Sequence, residues 1–285
     1  MNKMKVAYYP GCTLETTAKE FDITSRSVCA QLGIELVEIP DWNCCGASSA
    51  HETNDYLAIA LPARNLVVAE QELGLDVVIP CAACFNRLKA AEKALLSRTY
   101  TEFDYEGKIK VYDLLSFLAQ PEYVKRLKKK VVTPLKELKA VAYYGCLLCR
   151  PPEVTDHPQP ENPMEMETVL KAIGVECLPW SYKTDCCGAS LVVARPDIVH
   201  QLVKRLYDRA LEVGAECIVT ACPLCHANLD MRQKEINEKY HKHYYLPIFY
   251  FTELMALAMG IEGTETWAKG HFVDPRPLLE ERKYL

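Results

Sequence analysis

The feature of this sequence that most constrains its fold is a pattern of five cysteines that occurs twice. Each occurrence consists of a single cysteine, then an adjacent Cys-Cys pair, then a Cys-x2-Cys pair, with similar spacing between them. We call the first cysteine set Cys12, Cys44, Cys45, Cys81 and Cys84, and the second cysteine set Cys146, Cys186, Cys187, Cys222 and Cys225. A pattern repeated in the same order in both halves predicts two copies of one domain.

Sequence around the cysteines repeats as well. Residues 5–12 (KVAYYPGC) recur as residues 140–146 (AVAYYGC), and the adjacent pair is followed by Gly-Ala in both halves. The Cys-x2-Cys pair follows a Leu-Gly-Leu-Asp or Val-Gly-Ala-Glu turn. We therefore predict an N-terminal domain over residues 1–135 and a C-terminal domain over residues 136–285, the latter ending in a docking tail.

Short β-branched runs alternate with amphipathic segments in each copy. Residues 6–9, 35–39, 77–79 and 110–112 predict strands, whereas residues 17–32 and 56–73 predict helices that end before a glycine. This alternation is typical of an α/β fold, so we expect two duplicated domains related by a pseudo-twofold axis. Each would be a short, mostly parallel sheet flanked by helices. Several motif cysteines directly follow a predicted strand, which would bring each set together at the carboxyl end of its sheet.

Composition excludes several classes of protein. The 285 residues carry a formal charge of -5, which gives no basic field for nucleic acid. The first residues lack the apolar stretch of a signal peptide, and the chain has no segment apolar enough to cross a bilayer, so we expect a cytoplasmic protein. Without secretion, fourteen cysteines indicate metal or redox chemistry rather than disulfides.

Each copy offers five thiolates, one more than a zinc site or an ordinary cubane cluster needs. An iron–sulfur cluster with unusual ligation explains the fifth thiolate. Structural zinc in one domain and a network of redox-active dithiols stay open as alternatives. Gly46 and Gly188, directly after the adjacent pairs, would let the backbone bend so that both thiolates point inward.

These motifs resemble the CCG-domain family, and most closely the iron–sulfur B subunit of heterodisulfide reductase. The resemblance implies a noncubane [4Fe-4S] cluster on the five cysteines of each set, with a small disulfide or thiol substrate between the two clusters. It implies an oxidoreductase that acts on sulfur groups, reducing a disulfide or, in reverse, forming one. It also implies two partners from such a complex, one ferredoxin-like subunit with clusters of its own and one flavin-containing subunit.

Two other functions fit the same family. One is a quinone-linked electron-transfer and anchor subunit of a succinate dehydrogenase or fumarate reductase-type complex, held peripherally at the membrane through its partners. The other is a sulfur-oxidising subunit that acts on a carrier-bound thiol. Leu147 follows the first ligand of the second set, where the methanogen subunits carry a histidine suited to proton delivery.

Three further residues are weak catalytic candidates: Cys149, Arg150 and His157. Cys149 is an extra thiol without a counterpart in the first copy; it could be a packed thiol, a substrate-facing thiol or an alternative ligand. Arg150 directly precedes a proline-rich insertion over residues 151–163, and His157 lies within it. We hypothesise that this insertion covers the substrate cleft and that Arg150 or His157 contacts an anionic substrate.

Overall fold

The computed structural model describes residues 4–47 and 49–285. Each half of the chain forms a four-stranded sheet in which every adjacent pair of strands is parallel. The strands are β1 Met4–Tyr8, β2 Ile34–Glu38, β3 Val77–Ile79, β4 Val111–Asp113, β5 Lys139–Tyr143, β6 Glu176–Cys177, β7 Cys217–Thr220 and β8 Ile248–Tyr250. Their orders, β2-β1-β3-β4 and β6-β5-β7-β8, are equivalent. The predicted α/β duplication is confirmed.

The two central strands of each sheet are buried on both faces. Val6, Ala7 and Tyr8 of β1 are fully buried, as are all three residues of β3. Helices cover parallel sheets on both sides, which explains why these strands are continuous apolar runs rather than alternating ones. Strand β1 begins two residues and ends one residue before its predicted range, and β2 begins and ends one residue before its own.

The helices of the first half are α1 Cys12–Thr16, α2 Lys19–Gln31, α3 Ala50–Thr53, α4 Asp55–Val68, α5 Ala82–Leu96, α6 Leu114–Leu118 and α7 Pro121–Lys130. The helix predicted over residues 17–32 begins later, at Lys19, and a separate short helix precedes it. The helix predicted over residues 56–73 is α4 followed by a π-helical turn, Ala69–Leu73, which ends at Gly74 with a left-handed φ of 59°.

The helices of the second half are α8 Pro152–Thr155, α9 Glu165–Ala172, α10 Pro196–Glu212, α11 Pro223–Met231, α12 Gln233–Tyr240, α13 Phe251–Ala258, α14 Thr264–Ala268 and α15 Arg276–Glu281. None of the helices in the described ranges is long and apolar enough to span a bilayer.

Helices α2 and α13 join the two halves into one core. The ring of Phe21 on α2 stacks on Tyr250 at 4.1 Å between centroids, and the hydroxyls of Thr24 and Thr252 lie 2.7 Å apart. All four residues are buried, so the halves share apolar packing rather than a wet contact. Two halves packed in this way favour a fixed relative orientation.

The link between the two sheets runs through α6 and α7, and the backbone N–H groups of Val132 and Thr133 donate to the carbonyl of Ala258. The domain division at residues 1–135 and 136–285 stays a prediction.

The C-terminal tail packs mainly on the second half: Arg282 pairs with Glu216, and the backbone N–H of Phe272 donates to Asp230.

Candidate metal centre

Each Cys-x2-Cys pair lies where a central strand passes into a helix. Cys81 follows β3 and immediately precedes α5, and Cys84 lies in the first turn of that helix. Cys222 and Cys225 occupy the same positions before and within α11. A spacing of three residues places both side chains on one side of the first helical turn. The duplicated fold therefore presents two thiols at the carboxyl end of each sheet.

Four members of the first cysteine set form a contact chain. The Sγ atoms of Cys45 and Cys84 are 3.4 Å apart, Cys44 contacts Cys45, and Cys81 contacts Cys84. Cys45, Cys81 and Cys84 are buried, whereas Cys12 and Cys44 are exposed. The first set thus has a buried inner part and an outer part that faces solvent.

The second cysteine set repeats this arrangement. The Sγ atoms of Cys187 and Cys225 are 3.7 Å apart, Cys146 contacts Cys186, and Cys222 contacts Cys225. Cys187, Cys222 and Cys225 are buried, Cys186 is exposed and Cys146 is half-buried. The structure thus brings together, in each half, the cysteines that the sequence groups.

The two sets meet between the halves. Cys81 of the first set and Cys222 of the second lie close together, and the interaction with Cys222 raises the pKa of Cys81. Both side chains are buried, and both lie close enough to the Tyr250 hydroxyl to raise its pKa, after the larger effects of burial, Glu20 and Glu253. The inner parts of the two sets therefore form one continuous group of thiols across the interface.

The motif thiols change one another's pKa values, whereas burial dominates the pKa of the other cysteines. A hydrogen bond from Cys146 lowers the pKa of Cys186 to about 6, and hydrogen bonds from Cys44 and Cys84 lower the pKa of Cys45 to about 3. Burial instead raises the pKa of Cys29 and Cys177 to about 12, and it also raises the pKa of Cys149 and Cys217. The pKa of each hydrogen-bond partner, Cys44, Cys84 and Cys146, is raised in return, so these thiols titrate as interacting groups rather than singly.

Glycines leave space beside the buried thiols. Gly11 has a φ of +74°, and a Cβ atom there would lie 2.9 Å from Sγ of Cys84. Gly145 has a φ of +67°, and its Cβ would lie 2.7 Å from Sγ of Cys225. Any other residue would be strained by the left-handed backbone and would push the sulfur aside. These two glycines are needed for the backbone to approach the thiols.

The donor set and the surrounding space fit iron–sulfur clusters. Motif thiols lie in contact in each half, and a glycine opens room against one of the inner sulfurs in both. Soft thiolate ligands select iron–sulfur clusters and zinc over hard cations. The cysteine motifs are thus consistent with an iron–sulfur cofactor. The ten-cysteine ligand set and the noncubane form of the clusters stay predictions.

Two buried asparagines hold the backbone at the adjacent pairs. Asn65 on α4 accepts from the N–H of Asn43 and donates to the carbonyl of the same residue, both at 2.9 Å, next to Cys44. Asn228 on α11 donates to the carbonyl of Cys187 at 2.7 Å. Sequence reasoning missed both residues. A polar residue at a buried position of an amphipathic helix was the available signal.

The three weak candidates lie in a polar network beside the second set. Cys149 is fully buried, and its carbonyl accepts a hydrogen bond from Thr155 at 2.9 Å. Arg150 pairs with Glu161 and donates to Thr184 at 2.8 Å. The buried His157 ring lies 3.4 Å from Glu165. The cationic groups that could meet an anionic substrate therefore already have polar partners.

That insertion is attached to the first half. Asn86 on α5 donates to the carbonyls of Leu147 and Arg150 at 3.3 and 3.0 Å, and Asp156 pairs with Lys93 at 2.5 Å and Lys89 at 3.2 Å. These contacts join residues more than 60 positions apart. The insertion and the residues just before it thus fix the position of Cys146 relative to the first half.

Comparison with known proteins identifies the family. A family model described as a cysteine-rich domain, CCG, matches residues 6–89 and again residues 140–230. The chain belongs to the CCG family. The two matches cover both cysteine sets, and they confirm the family and the duplication predicted from the cysteine spacing.

Similar proteins of this family are subunits of redox complexes. The chain is 33% identical over 282 residues to the 8-methylmenaquinol:fumarate reductase membrane anchor subunit of Wolinella succinogenes, covering 95% of this chain and 98% of that one. It is 27% identical over 274 residues to the B subunit of the ferredoxin:CoB-CoM heterodisulfide reductase of Methanosarcina mazei, covering 91% and 90%.

The fold also resembles a solved structure. A crystal structure of a hypothetical protein from Helicobacter pylori aligns with a TM-score of 0.73 at 10% sequence identity. The alignment covers 95% of this chain and 52% of that chain, so the present chain spans about half of its length. At this identity the likeness concerns the fold alone.

Proposed function

We propose that this chain is the iron–sulfur subunit of a fumarate reductase-type complex and passes electrons between a quinol and its partner subunits. The observation that carries the proposal is the 33% identity to a menaquinol:fumarate reductase anchor subunit, which extends over nearly the full length of both chains. Identity to the heterodisulfide reductase subunits is lower, at 27%. Attachment to a membrane would be peripheral and would depend on the partners.

In this proposal the first and second cysteine sets each hold an iron–sulfur cluster. Such a cluster supplies one-electron transfer when bound. The chain's own residues provide the ligands, exclude water from the inner thiols and fix the two sets side by side. Contact between Cys81 and Cys222 supports a short path between the two halves, because both are ligand candidates of different sets.

The charges beside the cysteine pairs support an uncharged substrate. Arg64, next to Asn43, pairs with Asp41; Arg205 pairs with Asp185, which precedes Cys186. A substrate carrying sulfonate or phosphate groups needs unpaired cations, and arginine is the usual one. Here these two guanidinium groups are already paired with carboxylates. A quinol needs no such partner.

Apolar side chains border the same region. Leu147 follows Cys146 and is 37% exposed, and Leu224 lies between Cys222 and Cys225 and is 40% exposed. These leucines favour contact with an apolar ring system over a charged thiol. The methanogen subunits carry a histidine where this chain has Leu147, and this apolar residue likewise favours a quinol over a charged thiol.

Electron exchange with defined substrates tests the proposal. Anaerobically purified protein carrying its iron would be oxidised, mixed with a water-soluble menaquinol analogue, and followed by visible absorbance and EPR. We expect the quinol to reduce the clusters and a methanogen-type heterodisulfide to leave the EPR spectrum unchanged. Reduction by thiols, or a new paramagnetic signal with the heterodisulfide and none with quinol, would overturn the proposal.

Disulfide reduction is the second candidate, and the contact between the two sets favours it. Cleaving a disulfide takes two electrons, and the inner thiols of both sets meet at one place. With this function the partners would be a ferredoxin-like and a flavin-containing subunit, and the substrate a small disulfide or a carrier-bound thiol. The heterodisulfide arm of the same experiment distinguishes the two candidates.

A further inference from the structure

A second group of metal-ligand residues lies outside both cysteine sets. His226 on α11, Glu253 on α13 and His271 in the C-terminal tail come from three separate segments. One ligand atom from each residue lies within 4.8 Å of the other two. The exposed fractions of the three residues are 4%, 0% and 9%, so the group is buried. Within the described residues, it is the one group of three or more His, Cys, Asp or Glu residues whose ligand atoms all lie within 4.8 Å of one another.

Two of these residues are oriented as metal ligands usually are. Nε2 of His226 donates to the carbonyl of Ile248 at 2.9 Å, which leaves the lone pair on Nδ1. Oε2 of Glu253 accepts from the N–H of Tyr250 at 2.8 Å, which leaves Oε1 for a further contact. Metal-bound histidines commonly donate their other N–H to a carbonyl or carboxylate, and bound carboxylates are themselves hydrogen-bonded.

His271 has an unsatisfied nitrogen. Its Nε2 lies 3.0 Å from Oε1 of Glu253, and its side chain is fully buried. Its Nδ1 is buried without a hydrogen-bond partner in the described part of the chain. A buried polar atom without a partner costs about 1–3 kcal/mol. An ion held by Nε2 and by Oε1 of Glu253 would take the place of the hydrogen bond between them, and the ring would keep its single proton on Nδ1.

The surroundings of this group are negatively charged. The carboxylate of Glu20 lies against Gly270, where a Cβ atom would be 3.2 Å from its Oε2, and Asp230 accepts from the N–H groups of Phe272 and Val273. Two carboxylates thus flank His271 in addition to Glu253. The local potential therefore favours a cation.

We propose that His226, Glu253 and His271 bind a divalent transition metal of the zinc class, at a site separate from the cysteine sets. Two imidazoles and one carboxylate are a known ligand set for Zn²⁺. The ion would join the tail to α11 and α13, and α11 also carries Cys225. Bound there, the ion would help to hold the helix of the second set in place.

Metal analysis of the iron-loaded full chain tests the proposal. Wild-type protein and the His271→Ala variant would be dialysed against Zn²⁺ and then against buffer, and their zinc and iron measured by mass spectrometry. The matched control is His200→Ala, because His200 also pairs with a glutamate, Glu235 at 2.7 Å, and also has a buried Nδ1 without a partner. His200 has no third ligand within the described residues.

We expect about one zinc per chain in the wild type and in His200→Ala, and none in His271→Ala at unchanged iron content. Zinc X-ray absorption of the wild type should give nitrogen and oxygen at about 2.0–2.1 Å and no sulfur at about 2.3 Å. A sulfur shell, zinc retained by His271→Ala, or zinc-free wild type after dialysis would overturn the proposal. If His271→Ala does not fold, the wild-type absorption spectrum decides.

Discussion

Replacing Gly145 by alanine probes the space beside the second cysteine set. The new Cβ atom would lie 2.7 Å from Sγ of Cys225, whereas non-bonded heavy atoms prefer about 3.5–4.0 Å. The sulfur or the backbone must therefore move by about 1 Å. Metal–ligand distances tolerate about 0.2 Å. We expect Gly145→Ala to lose the cluster of the second set and to retain that of the first.

Backbone strain must be separated from this displacement. Alanine in the left-handed region costs about 1–2 kcal/mol wherever it occurs. Gly214 supplies the control, because it has a φ of +84° and a Cβ atom there would meet nothing within 4 Å. Gly214→Ala therefore carries the same backbone penalty without touching a thiol. Backbone strain should lower the free energy of unfolding by a similar amount in both variants. Their iron content should differ.

Iron and acid-labile sulfide per chain, with thermal unfolding, measure both effects. We expect Gly214→Ala to keep full iron and Gly145→Ala to keep about half, since only one of two clusters is disturbed. Equal iron in the two variants would refute the argument that Gly145 is present to accommodate the inner thiol.

Three further predictions concern other contacts. Asn86→Ala should lower the free energy of unfolding by about 1–3 kcal/mol, because it leaves two carbonyls unpaired; an unchanged denaturation midpoint would contradict this. Cys81→Ser should lose iron while Cys149→Ser keeps it, which metal analysis decides; iron loss in Cys149→Ser would make that residue a ligand. In cluster-free protein, alkylation of Cys186 should be half-maximal near pH 6, because its lowered pKa leaves thiolate above that pH, and a midpoint near pH 8 or above would refute this.

The local sequence pattern predicted the alternating strands and helices well, because neighbouring residues encode each strand and each helix. The strands are short apolar runs between glycines, and the cysteines that follow them mark the carboxyl ends of both sheets. The duplication supplied an internal check, since both copies had to show the same alternation of strands and helices. The helix expected from residue 17 begins two residues later, because Cys12–Thr16 forms its own turn directly after Gly11.

The interface could not be predicted, because it depends on residues far apart in the chain. Stacking of Phe21 on Tyr250 and the bonds from Asn86 to residues 147 and 150 join positions 61 or more apart. His226, Glu253 and His271 also come from segments far apart in the chain, and the local sequence around each one does not predict a metal site. The hypothesis that residues 151–163 cover a substrate cleft stays a prediction, and the structure shows that Arg150 and His157 already have carboxylate partners.

The central claim is that both cysteine sets hold iron–sulfur clusters. The most direct measurement is iron and acid-labile sulfide per chain in anaerobically purified wild-type protein, compared with Cys45→Ser and Cys187→Ser, one variant for each set. The account predicts about eight irons and eight sulfides in the wild type and about half of each in either variant. About four irons in the wild type, with one variant indistinguishable from it, would contradict the account.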